Sequence, residues 1–271
     1  MPTQDKKQPL IRGGKILEGK IAIITGAGQG IGHGIALGLA EKGASIVAID
    51  MNYEAVQNLV SVLKRNNQKA LAIKADVSMA TEVNAAVREV LDYFHHIDIL
   101  VNNAGISLLV PTVQMTEEQW DKTMNVNLKG MLFCCQEVGR QMIKERKGTI
   151  INIASVGGHG GIPKMAAYCA SKGAVLSLTR SLAIEWAEYN IRVNSISPGM
   201  TETSLVQNLR TQSPETFKKR EKRIPLGRAG QVKDVVSLVI FLASKESDYI
   251  TGQDVVIDGG LFAIHPGYVE G

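Results

Sequence analysis

Seven short runs, most of them unbroken stretches of Ile, Val, Leu and Ala, alternate with amphipathic stretches along nearly the whole chain. The runs fall at 21–25, 45–49, 70–74, 97–101, 149–153, 192–196 and 255–257. The intervening helical patterns fall at 31–41, 53–66, 80–94, 117–145, 168–188 and 232–244. A strand with one wetted face alternates apolar and polar residues. A continuous apolar run instead fits a strand covered on both faces. Strand and helix in strict alternation therefore predict a single α/β domain, a doubly wound parallel sheet of about seven strands with helices on both faces. The chain holds 271 residues with no internal repeat or linker. Residues 18–271 read as that one domain and 1–17 as an extension. Residues 200–230 interrupt the alternation with Pro214, Pro225 and Gly227 around a charged helical segment. An insertion after the carboxyl end of a strand predicts a lid over a ligand site.

Composition narrows the function. With 45% apolar and 21% charged residues, the chain has an ordinary globular balance and can bury a large core without staples. Cys134, Cys135 and Cys169 form neither a disulfide framework nor a metal-ligand spacing, so reduced thiols and no metal are expected. Residues 1–15 lack the apolar core of a signal peptide, and no run of 18 apolar residues exists. A cytoplasmic protein without a membrane span follows as the expectation. Lys218, Lys219, Arg220, Lys222 and Arg223 invite a nucleic-acid reading. No aromatic residues interleave them for base stacking, and a net charge of +4 is small, so a solvated helix face is favoured.

The first strand runs into Thr25-Gly26-Ala27-Gly28-Gln29-Gly30-Ile31-Gly32 and then into a helical pattern. Strand, glycine loop and helix in that order suit a dinucleotide. The glycines let the backbone approach a pyrophosphate, and the helix presents free N–H groups and a positive dipole end. The competing reading is a plain glycine turn. Gly26, Gln29, Gly30, Ile31 and Gly32 are the candidate contacts. Asp50 closes the second strand, with Met51 following. A carboxylate there suits the adenosine ribose hydroxyls of NAD and repels the 2′-phosphate of NADP; no Arg or Lys stands at Gln29, Met51 or Asn52 to attract that phosphate. Its alternative role is a helix N-cap.

Tyr168 and Lys172 lie four apart at the start of a helical pattern and share a face. An ammonium near a phenol is expected to lower its pKa toward working pH. Ser155, just past the fifth strand, can hold a substrate oxygen. Taken with Asn102-Asn103-Ala104-Gly105, Asn127 and Pro198-Gly199, this ordered set resembles the short-chain dehydrogenase/reductase family from about Glu18 to Leu261. The resemblance implies a Rossmann-type fold and an NAD-dependent oxidoreductase acting on CH–OH groups. It implies Tyr168 as general acid/base, and Lys172 as the residue that tunes it and holds the nicotinamide ribose. Ser155 becomes the substrate-oxygen donor, and Asn127 the helix-kink asparagine of a proton relay. Asp76 and Val77 resemble the adenine contacts. Asn103, with Ala104 and Gly105, resembles the floor under the ribose. Pro198, Gly199, Thr201 and Thr203 resemble the stretch meeting the carboxamide and pyrophosphate.

His159 sits in the glycine-rich loop between Ser155 and Tyr168, a segment that lines the substrate pocket in the family, and is a candidate substrate contact with Ser155 and Tyr168. His95 and His96 read as a surface turn. Few charges lie in the pocket loops, which ranks a sugar or polyol first, then a hydroxysteroid or other secondary alcohol, then a 3-oxoacyl thioester. A non-enzymatic NAD-binding protein is the alternative from another class; the presence of both Tyr168 and Lys172 speaks against it. The resemblance and the apolar spread of Leu176, Leu178, Leu182, Ile184 and Trp186 imply a homotetramer or homodimer. The tail at 264–269 is expected to extend toward a neighbouring subunit.

Overall fold

The computed structural model describes residues 14–264, so most of the expected N-terminal extension and the tail past Ile264 lie outside the described residues. The seven strands are β1 (Ile21–Thr25), β2 (Ser45–Asp50), β3 (Ala70–Lys74), β4 (Ile99–Asn102), β5 (Gly148–Ile153), β6 (Ile191–Pro198) and β7 (Asp254–Ile257). All pair in parallel, in the order β3-β2-β1-β4-β5-β6-β7. The winding runs outward from β1 through β2 and β3, then returns to the other side of β1 with β4. The chain thus leaves in opposite directions at the carboxyl ends of β1 and β4, and the crevice between them is where such sheets take ligands.

Helices α1 (Gly30–Glu41) and α2 (Tyr53–Arg65) cover one face of the sheet with α9 (Val232–Ala243). The opposite face carries α3 (Ala80–Phe94), α5 (Met131–Glu145) and α6 (Ala166–Trp186). Two apolar cores result, one under each layer. Alternate side chains of one strand feed each of them: Ile23 and Val47 enter one core, Ile24 and Ala48 the other. This is why the strands read as continuous apolar runs. Leu17, assigned from sequence to the extension, is 1% exposed in the α1 core. Its amide also donates to the Lys42 carbonyl.

The long helix expected over 117–145 is divided. Helix α4 (Glu117–Met124) begins at a capping box formed by Thr116 and Gln119, two orphan amides satisfied reciprocally. It then passes through a π-helical turn, Asn125–Gly130, into α5. Such turns bulge a helix locally and recur at functional sites. Here Gly130 is pressed against the Val77 backbone, where an added Cβ would lie 2.9 Å from the Val77 carbonyl oxygen.

The insertion after β6 folds into α7 (Ser204–Gln212) and α8 (Pro214–Glu221). Phe217 anchors it inward and the basic run at 218–223 is exposed to solvent, the face anticipated for it. Its two ends are tied down. Thr201 bridges Gly230, and the Leu226 amide donates to the Gly259 carbonyl. His95 and His96 fall in the turn before β4, where His96 pairs with Asp98 beside the start of β1, at the sheet's amino edge.

Candidate active site

The glycine loop is shaped by contacts that only glycine permits. Gly30 has φ +57, a left-handed conformation that costs side-chain-bearing residues. A Cβ on Gly32 would sit 2.2 Å from the Gly26 carbonyl oxygen. Thr25 and Asn103 lock this loop to the end of β4. Thr25 Oγ1 accepts from the amides of Asn103 and Ala104 at 3.1 Å. Asn103 Nδ2 donates to the carbonyls of Thr25 and Gly26. Asn103 therefore serves the nucleotide site by holding the loop. Helix α1 opens on Gln29 with no side-chain cap and no acidic residue in its first turn, so its amino end is free to meet an anion.

Asp50 stands beside this loop. Its Oδ2 accepts from the Gly28 amide at 3.0 Å and its Oδ1 from the Asn52 amide at 2.9 Å. The cap of α2 is Asn52, whose Oδ1 accepts from the Ala55 amide, so the alternative role of Asp50 as a cap falls to its neighbour. Met51 is exposed next to it. Asp76 turns its carboxylate onto Ser78, and Val77 is buried in the core under Gly130. Gly199 packs on Asp258, Thr201 bonds back to the Gly199 carbonyl, and the Thr203 methyl faces Gly30. The start of the insertion after β6 and the glycine loop thus face each other.

Ser155, Tyr168, Lys172 and Asn127 converge at the carboxyl edges of β4 and β5. Gly157 is the common neighbour of the first two: a Cβ on it would lie 3.2 Å from Tyr168 Cε1 and 3.4 Å from Ser155 Oγ. Lys172 is buried. Its Nζ donates to the Ile153 carbonyl at 2.7 Å and lies 5.9 Å from the Tyr168 ring centroid. Burial lowers its pKa to about 8, since desolvation disfavours the ammonium. Asn127, in the π-helical turn, is fully engaged. Its Oδ1 accepts from the Ile106 amide at 2.7 Å, while Nδ2 donates to the Ile106 carbonyl and to Ser171 Oγ. Ser171 in turn donates to the Tyr168 carbonyl at 2.7 Å. Gly105 lies between the two groups: its Cβ would fall 3.3 Å from Asn127 Oδ1 and 3.6 Å from Lys172 Nζ.

The phenol departs from the sequence expectation. Burial raises the Tyr168 pKa, with a hydrogen bond to Ser155 opposing that rise. The Lys172 ammonium, 5.9 Å from the ring centroid, does not offset that burial. With protein groups alone, Tyr168 is a protonated acid at neutral pH. His159 is also engaged elsewhere: its Nε2 lies 2.7 Å from Asp254 Oδ2 on β7. Ser171 went unremarked in sequence, and Thr25 entered only as the first residue of the glycine-loop motif, with no role given. Ser171 adjoins Lys172, and that adjacency was the only signal available. Cys134 and Cys135 are buried, and burial raises both thiols, Cys135 to about 12, so they pack as small hydrophobes.

A glycine cradle at the switch point, beside a half-buried phenol and a buried ammonium and hydroxyl at the neighbouring strand ends, defines a nucleotide-dependent oxidoreductase of the α/β class. The chain belongs to the short-chain dehydrogenase/reductase family: the family model described as Enoyl-(Acyl carrier protein) reductase matches residues 26–262. It is 42% identical over 245 residues to 3-oxoacyl-[acyl-carrier-protein] reductase FabG of Thermotoga maritima, covering 90% of this chain and 98% of that one. It is 39% identical over 241 residues to the NAD-dependent glycerol dehydrogenase of Listeria innocua, covering 89% and 93%. Among solved structures it is similar to a gluconate 5-dehydrogenase from Burkholderia cenocepacia in complex with NADP and tartrate. There the TM-score is 0.88 and the identity 41%, covering 92% of this chain and 97% of that one.

Proposed function

We propose that this protein is an NAD(H)-dependent enzyme interconverting a secondary alcohol and a ketone, with a sugar or polyol as substrate and Tyr168 as general acid/base. The observation that carries the reading is the meeting of Ser155 and Tyr168 at Gly157, beside buried Lys172, at the edge that also bears the glycine loop. Gly26, Gln29, Gly30, Ile31 and Gly32 would hold the pyrophosphate end, and Asp50 with Met51 the adenosine ribose. Asp76, Val77, Asn103, Ala104 and Gly105 would flank the adenine half. Pro198, Gly199, Thr201, Thr203, Tyr168 and Lys172 would flank the nicotinamide half. When bound, the nicotinamide supplies or accepts a hydride.

The chain's own residues supply the rest. In reduction Ser155 donates to the substrate oxygen, and Tyr168 transfers its phenolic proton to that oxygen as negative charge develops there. Oxidation runs in reverse. The raised phenol suits the acid role; the buried ammonium stabilises the tyrosinate left behind. Asn127 and Lys172 flank Gly105, which supports a proton path through Lys172.

NAD preference rests on Asp50, whose carboxylate would repel a 2′-phosphate and has no Arg or Lys at positions 29, 51 or 52. The NAD-dependent glycerol dehydrogenase relative supports both the coenzyme and a polyol substrate. A second reading, reduction of a 3-oxoacyl thioester, is favoured by the 42% identity to the acyl-carrier-protein reductase. NADH absorbance against sugars, sugar acids, polyols, sterols and a 3-oxoacyl thioester separates the two. Turnover of a polyol or sugar acid with NAD is expected, and exclusive NADPH-linked thioester reduction would overturn the first reading. No described helix is long and apolar enough to cross a membrane, and we place the enzyme in the cytoplasm as a homotetramer. Apolar Ile184 is 81% exposed on α6, and among the described residues β7 ends the sheet with one edge unpaired; both support association.

A further inference from the structure

The segment Gly157-Gly158-His159-Gly160-Gly161 joins Ser155 to the start of α6 and is nearly free of side chains. A backbone so rich in glycine has much conformational freedom to lose on ordering. Yet this segment sets where Ser155 points. The Gly157 amide donates to Ser155 Oγ at 3.0 Å, the Gly158 amide to the Ser155 carbonyl at 2.8 Å, and the His159 amide to the Val156 carbonyl at 3.0 Å. The one long side chain in the segment reaches out of it to the edge strand. His159 Nε2 lies 2.7 Å from Asp254 Oδ2 and 3.2 Å from Ser197 Oγ.

Asp254 is built to receive it. Its Oδ1 accepts from Ser195 Oγ at 2.6 Å and from Ser197 Oγ at 3.0 Å, so both oxygens are satisfied. The carboxylate side chain is 10% exposed and the imidazole 30%. The ring of Phe262 meets the imidazole edge-on at 5.7 Å between centroids. The same ring lies over Gly160, where a Cβ would fall 3.0 Å from its Cζ. On the other side, Gly158 rests on the backbone of Lys172, where a Cβ would lie 2.8 Å from the Lys172 carbonyl carbon and oxygen. The loop is thus seated on α6 from below and fastened to β7 at its tip.

We propose that His159 and Asp254 form a positioning pair that holds the Ser155 turn in register with Tyr168, so that His159 acts through Ser155 and does not touch substrate. The pair rests on the acid/base reading of Tyr168 given above. Removing it leaves the nucleotide cradle and the phenol in place and loosens only the hydroxyl that orients the substrate oxygen. A displacement of about 1 Å at such a group can cost on the order of 100-fold in rate.

The test compares H159L, H159Q, D254N and the double variant H159L/D254N with wild type. It reads kcat, KM, NADH affinity by fluorescence, and hydrogen exchange of the peptide spanning 156–163. H159L and D254N are each expected to lower kcat by about 10- to 100-fold, with KM and NADH affinity within about threefold of wild type. The double variant should be no worse than the poorer single one, since both break the same link. H159Q, whose Nε2 can still donate to the carboxylate, should recover most of kcat. Exchange at 156–163 should quicken in H159L and not in H159Q. If H159L raises KM at constant kcat while D254N behaves as wild type, His159 is a substrate contact and the pair is refuted. Additive losses, or an H159Q as slow as H159L, refute it as well. Should H159L fail to fold, D254N and H159Q against wild type decide the question. A wild type silent on every substrate would sink the proposed function. Exchange at 156–163 would still decide the anchor: unchanged exchange in H159L and D254N overturns it.

Discussion

Asp50 places one carboxylate where the second strand ends, held by the amides of Gly28 and Asn52. In the proposed reading the same oxygens would accept from a ribose, and a charged hydrogen bond is worth about 1.5–3 kcal/mol. Asp50→Ala should therefore weaken NAD binding at least tenfold and relax discrimination against NADP, measured as Kd for both dinucleotides; an unchanged ratio would remove the assignment. Lys172 carries a different charge problem. Burial lowers its pKa from 10.5 to about 8, so the folded state binds this proton less tightly than the unfolded chain does. The resulting penalty is present in full below pH 8 and is relieved as pH rises toward 10.5. Lys172→Met should abolish turnover yet stabilise the fold at pH 7 by up to about 3 kcal/mol. That advantage should shrink between pH 8 and 10.5, and denaturant unfolding at several pH values reads both. Asp50, Tyr168 and Lys172 were singled out in sequence by their places in an ordered set of motifs that resembles the family. The partners were not. That Lys172 bonds Ile153, or that Asn127 reaches Tyr168 through Ser171, depends on packing between elements far apart in the chain.

Strands β1 and β3 and helix α3 fall on the residues their sequence patterns mark, since burial on two faces writes an unbroken apolar run and burial on one face a 3.6-residue period. The break between α4 and α5 left no mark in the apolar pattern, and only the resemblance at Asn127 pointed to a kink there. The buried residues of α4 and of the π-helical turn are Thr123, Asn127 and Gly130, and Gly130 is pressed against the Val77 backbone. The insertion was legible as an interruption around a charged helical segment, and its division into two helices was not. Close approach of helices was equally hidden. Helices α1 and α9 meet along Gly34 and Gly38, where a Cβ would fall 2.2 Å from Val232 Cγ1 and from Val236 Cγ1. Helix α1 begins within the glycine loop, so this seam fixes α1 against α9 directly behind it. Gly38→Ala should cost about 1–3 kcal/mol by overpacking, and Val236→Ala in the same chain should return much of it. Additive losses in denaturant unfolding would contradict the seam.

The whole molecule is one sheet with its chemistry gathered at a single edge. The glycine loop lies between β1 and β4, the phenol and hydroxyl beyond β5, the two-helix insertion after β6. Sheet order follows from no single segment, so the sequence pointed to a parallel α/β fold while the family resemblance supplied the rest. Exposed Ile184 on α6 and the free edge of β7 belong to this scale. Sedimentation equilibrium is expected to give a tetramer, and a monomer at micromolar concentration would contradict the association. The central claim is that Tyr168 moves the proton. It is tested most directly by NADH-linked turnover of Tyr168→Phe beside wild type, with NADH affinity measured in parallel. The account predicts nearly unchanged NADH binding and a fall in turnover of about 10²–10⁴-fold; turnover close to wild type would contradict it.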